Sequence, residues 1–279
     1  MKNIVIVILI INIKILFSFD FKVMSYNIRY PATEDYKSGN GWNDRKSGLI
    51  KMLHYHQPDI IGMQEVVYEQ LEFLSENLNR YNWFGVGRDD GKQKGEFTPI
   101  FYDTTKFNFI EGKNFWLSDT PEKPSKSWDA ALNRIVTMVM LEFKLSKKRF
   151  YVVNTHLDHK GEISRQKSTE LINAEISKLI NNYPIILMGD FNTIPNSISY
   201  NNVVKLLKDS YLITKNSPYG PEGTSSGFSV CQDNQLNRID YIFVSNDIEV
   251  IFYANLTDSY NKNYYSDHLP VIVKINIKD

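Results

Sequence analysis

The sequence has very little cysteine and no excess of charge of either sign. Cys231 is the single cysteine among 279 residues, which excludes an intramolecular disulfide and leaves the fold to be held together by its core. Lys plus Arg and Asp plus Glu both number 32, so no net charge steers the chain towards nucleic acid or an anionic membrane. No repeat at a solenoid period is present. We therefore expect one large layered domain.

The longest apolar run lies at the N-terminus. Lys2 precedes an apolar stretch over residues 4–11, and Ser18 is a small residue before the first acidic position. This outline predicts a secretory signal peptide over residues 1–18, followed by the domain over residues 19–279. Because Leu16 is bulky where a small residue is preferred, an uncleaved membrane anchor is the alternative. In either case we expect an exported protein, periplasmic or secreted.

Beyond the N-terminus, apolar strands alternate with amphipathic helices. The sequence predicts helices at residues 44–56, 67–78, 164–180 and 203–207. It predicts strands at residues 21–28, 59–63, 83–86, 98–102, 107–116, 135–143, 149–155, 185–188, 238–245 and 269–275.

Polar side chains follow many of these strands. In PIILMGDFNTIP, residues 184–195, an apolar run is predicted to form a buried strand, and Gly189 permits a turn. Asp190 and Asn192 then share one face where the strand ends. An isolated Asp-x-Asn is most often an ordinary turn. Here, however, further clusters of oxygen and imidazole groups occur at predicted strand ends: SYNIRY, GMQEV, VVNTHLDH, LNRIDYIF and YSDHLPV.

These clusters combine hard oxygen ligands with imidazoles. The oxygen ligands are Glu65, Asp190, Asp240, Asp267, Asn27 and Asn192. Without a cysteine cluster, such a set suits magnesium, manganese or calcium better than structural zinc. His156 and His268 add proton-transfer groups and hydrogen-bond donors. A cation that neutralises an oxyanion, a base that activates water and donors for developing charge together favour phosphoester hydrolysis.

The motifs GDFN, SDHLPV, NTHLDH and RIDYIF resemble those of the endonuclease/exonuclease/phosphatase superfamily, and the resemblance covers nearly the whole chain after residue 18. It implies a four-layered α/β sandwich, with two packed, mostly antiparallel β-sheets flanked by helices, and an active site at one edge. It also implies hydrolysis of a phosphoester, dependent on Mg²⁺ or Mn²⁺, by in-line attack of an activated water.

The resemblance assigns metal binding and water activation to individual residues. Glu65 resembles the principal metal ligand, and Asn27 and Asp267 complete the shell of the metal and its water. Asp190 would position or deprotonate the attacking water, and Asn192 would hold the phosphate.

The remaining implied roles concern the phosphate and the rest of the substrate. His268, oriented by a neighbouring carboxylate, and His156 would contact phosphate oxygens from two sides. Asp240 matches a further acid of the site. Glu96 matches an acid that supports the second histidine in the deoxyribonuclease branch, and Arg134 matches a substrate-contacting arginine.

Substrate choice depends on the loop at residues 118–132. The segment around it resembles a loop of an exported, uncharacterised bacterial branch of the superfamily, and we expect Trp116 and Trp128 to offer an apolar wall or a stacking surface for a sugar or base. The sequence has neither the inserted basic helices of strong duplex-DNA binders nor the hydrophobic hairpin of secreted sphingomyelinases.

Three hypotheses remain open from the sequence. The first is a metal-dependent phosphoesterase acting on a small or exposed phosphoester. The second is a nuclease that degrades DNA or RNA outside the cytoplasm, and the third is an inactive binding protein on the same scaffold. No stable protein partner is implied, and we expect a monomer.

Overall fold

The computed structural model describes residues 20–230 and 237–278. The signal peptide predicted over residues 1–18 and the single cysteine, Cys231, lie outside the described residues. Within the described ranges, no helix combines the length and the apolar character needed to cross a membrane.

The described part of the chain forms the following elements. The helices are α1 (Thr33–Lys37), α2 (Trp42–His56), α3 (Tyr68–Asn77), α4 (Glu162–Ser177), α5 (Ile198–Val204) and α6 (Ser210–Ile213). The first strands are β1 (Asp20–Asn27), β2 (Ile60–Gln64), β3 (Tyr81–Phe84), β4 (Ile100–Asp103), β5 (Phe107–Trp116), β6 (Ile135–Phe143) and β7 (Arg149–His156). The remaining strands are β8 (Ile185–Asp190), β9 (Lys208–Asp209), β10 (Asp240–Val244), β11 (Ile248–Asn255), β12 (Ser259–Tyr260), β13 (Asn263–Tyr264) and β14 (Val271–Ile277).

The strands form two large sheets and a small hairpin. Over the described residues, each large sheet has six strands, in the orders β11-β14-β1-β2-β4-β3 and β5-β6-β7-β8-β10-β9. Strands β1 and β2 pair in parallel, as do β7 and β8. The other neighbours in these sheets pair antiparallel. The predicted mostly antiparallel arrangement is confirmed.

Three apolar clusters divide the domain into four layers. The central cluster includes Val23 and Ile60 from the first sheet and Val152 and Ile186 from the second, so it lies between the sheets. A second cluster packs α2 and α3 on the outer face of the first sheet, and a third packs α4 and α5 on the outer face of the second. Burial of apolar side chains on both faces of each sheet drives this layering. The predicted four-layered α/β sandwich is confirmed.

Some elements differ from the prediction. Strand β11 was not predicted because a register shift between Val250 and Phe252 breaks the alternation of buried and exposed residues. Helix α5 begins at Ile198 instead of residue 203. Gly189 lies within β8 and does not form a turn. A Cβ atom at Gly189 would lie 2.0 Å from the carbonyl oxygen of Thr155, so glycine allows close approach of the parallel strand.

The sheet topology brings the polar clusters to one edge of the sandwich. Because β1 and β2 are parallel, Asn27 and the residue after β2 lie at the same end, where Asn27 pairs with Gln64. His156 and Asp190 end β7 and β8 in register with each other. Strand β10 runs the opposite way and begins at this edge. Residues far apart in sequence therefore converge here.

Candidate active site

The converging residues line a cleft of about 320 Å³. Its lining consists of Arg29, Tyr30, Glu65, Glu96, Leu132, Arg134, His156, His159, Asp190, Asn192, Asp267 and His268. Most of the side chains predicted for the site belong to this set. Asn27 and Asp240 do not line the cleft, but each holds a residue that does.

Asn27 joins the two sheets at the bottom of the cleft. Its Nδ2 donates hydrogen bonds to Oε1 of Glu65 and to Oδ2 of Asp190, both at 3.0 Å. Its Oδ1 accepts from the backbone N–H of Arg29 at 3.0 Å. The amide oxygen is therefore occupied by the backbone, and Asn27 acts as a donor that sets the spacing of two carboxylates.

Glu65 enters the cleft from a strained backbone position. Its φ angle is 60°, in the left-handed region that non-glycine residues rarely adopt. Its Oε2 accepts a hydrogen bond from the backbone N–H of Tyr30 at 3.2 Å. Since Asn27 holds the other oxygen, both carboxylate oxygens are positioned by the segment that follows β1.

Asn192 and His156 form a second polar contact. The backbone N–H of Asn192, whose φ angle is 47°, donates to Oδ1 of Asp190 at 2.9 Å. Its Nδ2 donates to Nε2 of His156 at 3.0 Å and to the carbonyl oxygen of Leu157 at 3.0 Å. Burial and the nearby Arg134 and Arg88 guanidinium groups hold the pKa of His156 well below its ordinary value. His156 is therefore neutral, with Nε2 as the acceptor.

Asp190, Asp240 and His268 form a charged chain. Nδ1 of His268 lies 2.8 Å from Oδ2 of Asp240, and Nε2 of His268 lies 3.8 Å from Oδ2 of Asp190. Burial alone would lower the pKa of His268, but the two carboxylates hold that pKa well above its ordinary value. Burial and the charge of Asp240 raise the pKa of Asp190 to about 7. The site thus pairs a protonated imidazole with a carboxylate that can accept a proton near neutral pH.

Glu96 makes its main contact with an arginine that sequence reasoning did not identify. Arg88 donates to both oxygens of Glu96, at 2.7 and 2.8 Å. Oε2 of Glu96 lies 3.8 Å from Nδ1 of His156, too far for a hydrogen bond. Nδ1 of His156 has no hydrogen-bond partner among the described residues. The direct support of His156 expected from Glu96 is thus not formed in this structure.

Asp267 shares the cleft with another arginine. Nη1 of Arg29 lies 3.5 Å from Oδ2 of Asp267, while Nε of Arg29 donates to Asp35 at 2.9 Å. Burial raises the pKa of Asp267, and the charge of Glu65 adds to this shift. Arg29 is the fifth residue of the SYNIRY motif, but the direction of its side chain depends on a φ angle of 61°. No sequence pattern indicates that angle.

Arg45 connects two segments that carry site residues. It is fully buried and donates to the carbonyl oxygens of Ile28, Arg29, Asn40 and Tyr265. It therefore ties the segment after β1 to the segment that leads to Asp267. On the sequence, Arg45 is one more basic residue of a helix, and its burial comes only from packing.

Arg134 is held by a carboxylate at the wall of the cleft. Its side chain is 2% exposed, its Nε donates to Oδ2 of Asp158 at 3.2 Å, and its Nη2 contacts Nδ1 of His159 at 2.9 Å. Asp158 also accepts from the backbone N–H groups of Leu132, Lys160 and Gly161. Asp158 and His159 are the last two residues of the NTHLDH motif, and the structure connects both to Arg134.

We expect Asp158→Asn to destabilise the protein by about 3 kcal/mol at pH 7, because the change leaves the buried Arg134 charge without a partner. Burial would raise the pKa of Asp158, but the hydrogen bonds from Gly161 and neighbouring N–H groups and the Arg134 charge hold that pKa well below its usual range. A lowered carboxyl pKa stabilises the fold above the unfolded-state pKa, and this contribution is lost as pH falls through the folded-state pKa.

The destabilisation should therefore be largest near neutral pH and should shrink below about pH 4. Urea unfolding at several pH values measures it, with Asp119→Asn, at an exposed aspartate of the loop at residues 118–132, as the control. Equal stability of Asp158→Asn and the parent protein at pH 7 would contradict the assignment of this ion pair.

Trp128 lies in the loop between β5 and β6 and is half-buried, with a φ angle of 56°. It is not among the residues that line the cleft. The next residue, Asp129, accepts hydrogen bonds from the backbone N–H groups of Ile163 and Ser164, which holds the loop against the start of α4. From this loop Leu132 lines the cleft.

The donor set at the bottom of the cleft fits a hard divalent cation. Ligand atoms of Glu65, His156 and Asp190 lie within 4.8 Å of one another, and Asp267 is close enough for the charge of Glu65 to contribute to its raised pKa. Oδ1 of the buried Asp240 has no hydrogen-bond partner among the described residues. A cation would relieve the repulsion between carboxylates that raises the pKa of Asp190 and Asp267.

The four-layered sandwich and the polar cleft at its edge together define a class of protein. Comparison with known sequences identifies the same class. The sequence profile of the Endonuclease/Exonuclease/phosphatase family matches residues 24–268, and the chain belongs to this family.

Solved structures and a curated relative extend the comparison. A mannosyl-6-phosphatase of Bacteroides thetaiotaomicron VPI-5482 is 39% identical, with a TM-score of 0.88 over 91% of this chain and 99% of that one. Another Bacteroides thetaiotaomicron protein of the family is 38% identical, with a TM-score of 0.90 over 94% and 99% of the two chains. A probable RNA exonuclease of Saccharomyces cerevisiae is 28% identical over 67% of this chain, which spans 40% of that relative.

Proposed function

We propose that the protein is a metal-dependent phosphatase that removes the phosphate from a small sugar phosphate. The observation that carries this proposal is the form of the cleft. Groups suited to phosphoryl transfer, His156, Asp190 and His268, are buried at its bottom. Its volume of about 320 Å³ is at the lower end of the range for small-molecule pockets. A small phosphoester suits such a cleft better than a polymer.

The comparisons support the sugar phosphate as the substrate class. The mannosyl-6-phosphatase is 39% identical over 91% of this chain, a closer relationship than the 28% identity of the probable RNA exonuclease. The net charge of zero agrees, because strong binding of nucleic acid requires several cationic phosphate contacts. A nuclease is the alternative outcome of the test below.

Glu65 and Asp267 would hold Mg²⁺ or Mn²⁺, and Asn27 would fix the Glu65 carboxylate through its amide nitrogen. When bound, the cation would neutralise negative charge on the phosphoryl oxygens. Arg29 contacts Asp267 and keeps that carboxylate directed into the cleft. Carboxylate oxygens of this kind are the ligands that both cations prefer in proteins.

The other residues would bind the phosphate and move one proton. Asp190 accepts the proton of the attacking water, as its raised pKa permits. Asn192, whose Nδ2 donates to His156 and to the carbonyl oxygen of Leu157, would exchange one of these two hydrogen bonds for one to a phosphoryl oxygen. His268, kept protonated by Asp240, donates from Nε2 to another phosphoryl oxygen as negative charge develops. The water oxygen would bond to phosphorus while the bond from phosphorus to the sugar oxygen breaks, and the sugar oxygen would take a proton from solvent water to leave as an alcohol.

A hydrolysis panel on the purified protein tests the proposed function. The substrates are mannose 6-phosphate, glucose 6-phosphate, p-nitrophenyl phosphate, bis-p-nitrophenyl phosphate, RNA and plasmid DNA. We expect release of phosphate from the monoesters, loss of activity after chelation, and recovery with Mg²⁺ or Mn²⁺. Preferential cleavage of RNA or DNA would favour the nuclease, and rescue by zinc alone would contradict the proposed metal site.

A further inference from the structure

His159 lies at the outer part of the cleft that contains the reacting groups. It follows β7, which ends at His156, and both side chains line the cleft. His159 is exposed, whereas His156, Asp190 and His268 are buried. A substrate whose phosphoryl group reaches the buried residues must place the rest of its structure near the exposed one.

The orientation of the His159 ring is determined by Arg134. Nη2 of Arg134 lies 2.9 Å from Nδ1 of His159. A guanidinium group has donors only, so Nδ1 must be the acceptor and the proton of the neutral ring must be on Nε2. Arg134 is itself fixed by Asp158, whose side chain is fully buried. The series Asp158, Arg134, His159 therefore selects one tautomer and one ring position.

Nε2 of His159 is available to a ligand. Among the described residues, no hydrogen bond involves this atom, and the ring lines the cleft. Burial and the Arg134 charge lower the pKa of His159, which keeps the ring neutral at pH 7. A neutral N–H group at a fixed position recognises an uncharged oxygen acceptor.

Leu132 is positioned by the same carboxylate. Its backbone N–H donates to Oδ2 of Asp158 at 3.3 Å, and its side chain is 42% exposed and lines the cleft. Asp158 thus holds one polar and one apolar residue of the outer cleft. A sugar presents both hydroxyl oxygens and apolar C–H groups, and it matches this combination.

We infer that His159 determines specificity for the leaving group: its Nε2–H donates to a hydroxyl or ring oxygen of the sugar while phosphate occupies the bottom of the cleft. This inference rests on the proposed phosphatase function. In this arrangement Arg134 is a positioning residue, which acts on the substrate through His159.

A purely structural role makes a different prediction. If His159 served only to accept the hydrogen bond of Arg134, any side chain that keeps this acceptor would suffice. Asparagine keeps an acceptor near the position of Nδ1, whereas glutamine keeps an N–H donor near the position of Nε2. The pair His159→Asn and His159→Gln therefore separates the two roles.

The test compares kcat/KM for mannose 6-phosphate and for p-nitrophenyl phosphate, whose leaving group has no hydroxyl groups. We expect His159→Ala to lower kcat/KM about tenfold for the sugar phosphate, the effect of one neutral hydrogen bond. For the aryl phosphate, kcat/KM should stay within about twofold of the parent value. His159→Gln should recover most of the loss and His159→Asn should not, while Lys160→Ala, at the adjacent exposed residue, serves as the control.

Equal losses on both substrates, or recovery by His159→Asn in place of His159→Gln, would overturn the inference. Turnover of p-nitrophenyl phosphate without turnover of either hexose phosphate would also overturn it; of the proposed function, this result would leave the phosphatase activity and reject the sugar phosphate as substrate. Absence of turnover with every phosphoester, by the parent protein with Mg²⁺ or Mn²⁺, would instead reject the proposed function.

Discussion

Asp190→Asn should lower kcat by about 10³-fold or more, because the change removes the group proposed to accept the proton of the attacking water. Asparagine has nearly the same shape, keeps an oxygen that can accept the hydrogen bond from the backbone N–H of Asn192, and loses only the acceptor of the hydrogen bond from Asn27. The fold should therefore survive. Steady-state kinetics on p-nitrophenyl phosphate with saturating Mg²⁺ measures the loss, and Asp119→Asn is the matched control outside the cleft.

The same variant should be at least as stable as the metal-free parent protein above pH 7. Burial raises the pKa of Asp190 to about 7, above its value of about 3.9 in an unfolded chain. A carboxyl group with a raised pKa favours the folded state in acid, and stability is lost as pH rises from the unfolded-state to the folded-state pKa. Urea unfolding at pH 8 after chelation measures the difference. Turnover equal to that of the parent protein would reject the role of Asp190.

Glu65→Gln should weaken the binding of Mg²⁺ or Mn²⁺ by at least about 100-fold, because a neutral amide replaces the carboxylate proposed as the principal ligand. Calorimetry of Mn²⁺ binding measures the affinity directly, and the Mg²⁺ concentration that gives half-maximal activity should rise with it. Glu122→Gln, at an exposed position in the loop before β6, is the control. An unchanged affinity would show that the cation is held elsewhere.

The Glu65→Gln substitution also tests how much the hydrogen bonds to the Glu65 carboxylate contribute to stability. Nδ2 of Asn27 donates to Oε1 of Glu65 and the backbone N–H of Tyr30 donates to Oε2, so glutamine can keep an oxygen for only one of these two donors. A loss of metal affinity without a change in stability therefore reports on charge. A large loss of stability in addition would mean that a lost hydrogen bond to this side chain holds the segment in place, because glutamine meets the φ angle of 60° as glutamate does.

Much of the fold follows from local patterns. The run at residues 185–188 is apolar and buried, and the strands predicted at residues 135–143 and 149–155 are present as β6 and β7. These predictions succeed because strand and helix periodicity are properties of neighbouring residues. Strand β11 was missed for the same reason, because its bulge interrupts the period that identifies a strand.

The candidate site also contains residues that the sequence identified and residues that it did not. Polar residues at strand ends, such as Asp190 and His268, were recognised from motifs, and the structure brings them to one cleft. Arg88 and Arg29 were not recognised, although they contact Glu96 and Asp267. Nothing in the sequence distinguishes these arginines from exposed ones, since burial depends on which loops pack over them.

The sequence by itself therefore determined the alternation of strands and helices, because hydrophobic period is a local property of the chain, and its motifs, through the family that they resemble, implied the layered sandwich and the main polar residues of the cleft. Only the tertiary structure decided which partner each polar group has: the amide nitrogen of Asn27 faces two carboxylates, Arg88 takes both oxygens of Glu96, and Arg134 orients His159. Hydrogen bonds and charge interactions depend on distances of a few ångströms between residues that are remote in sequence. Those distances exist only once the two sheets have packed.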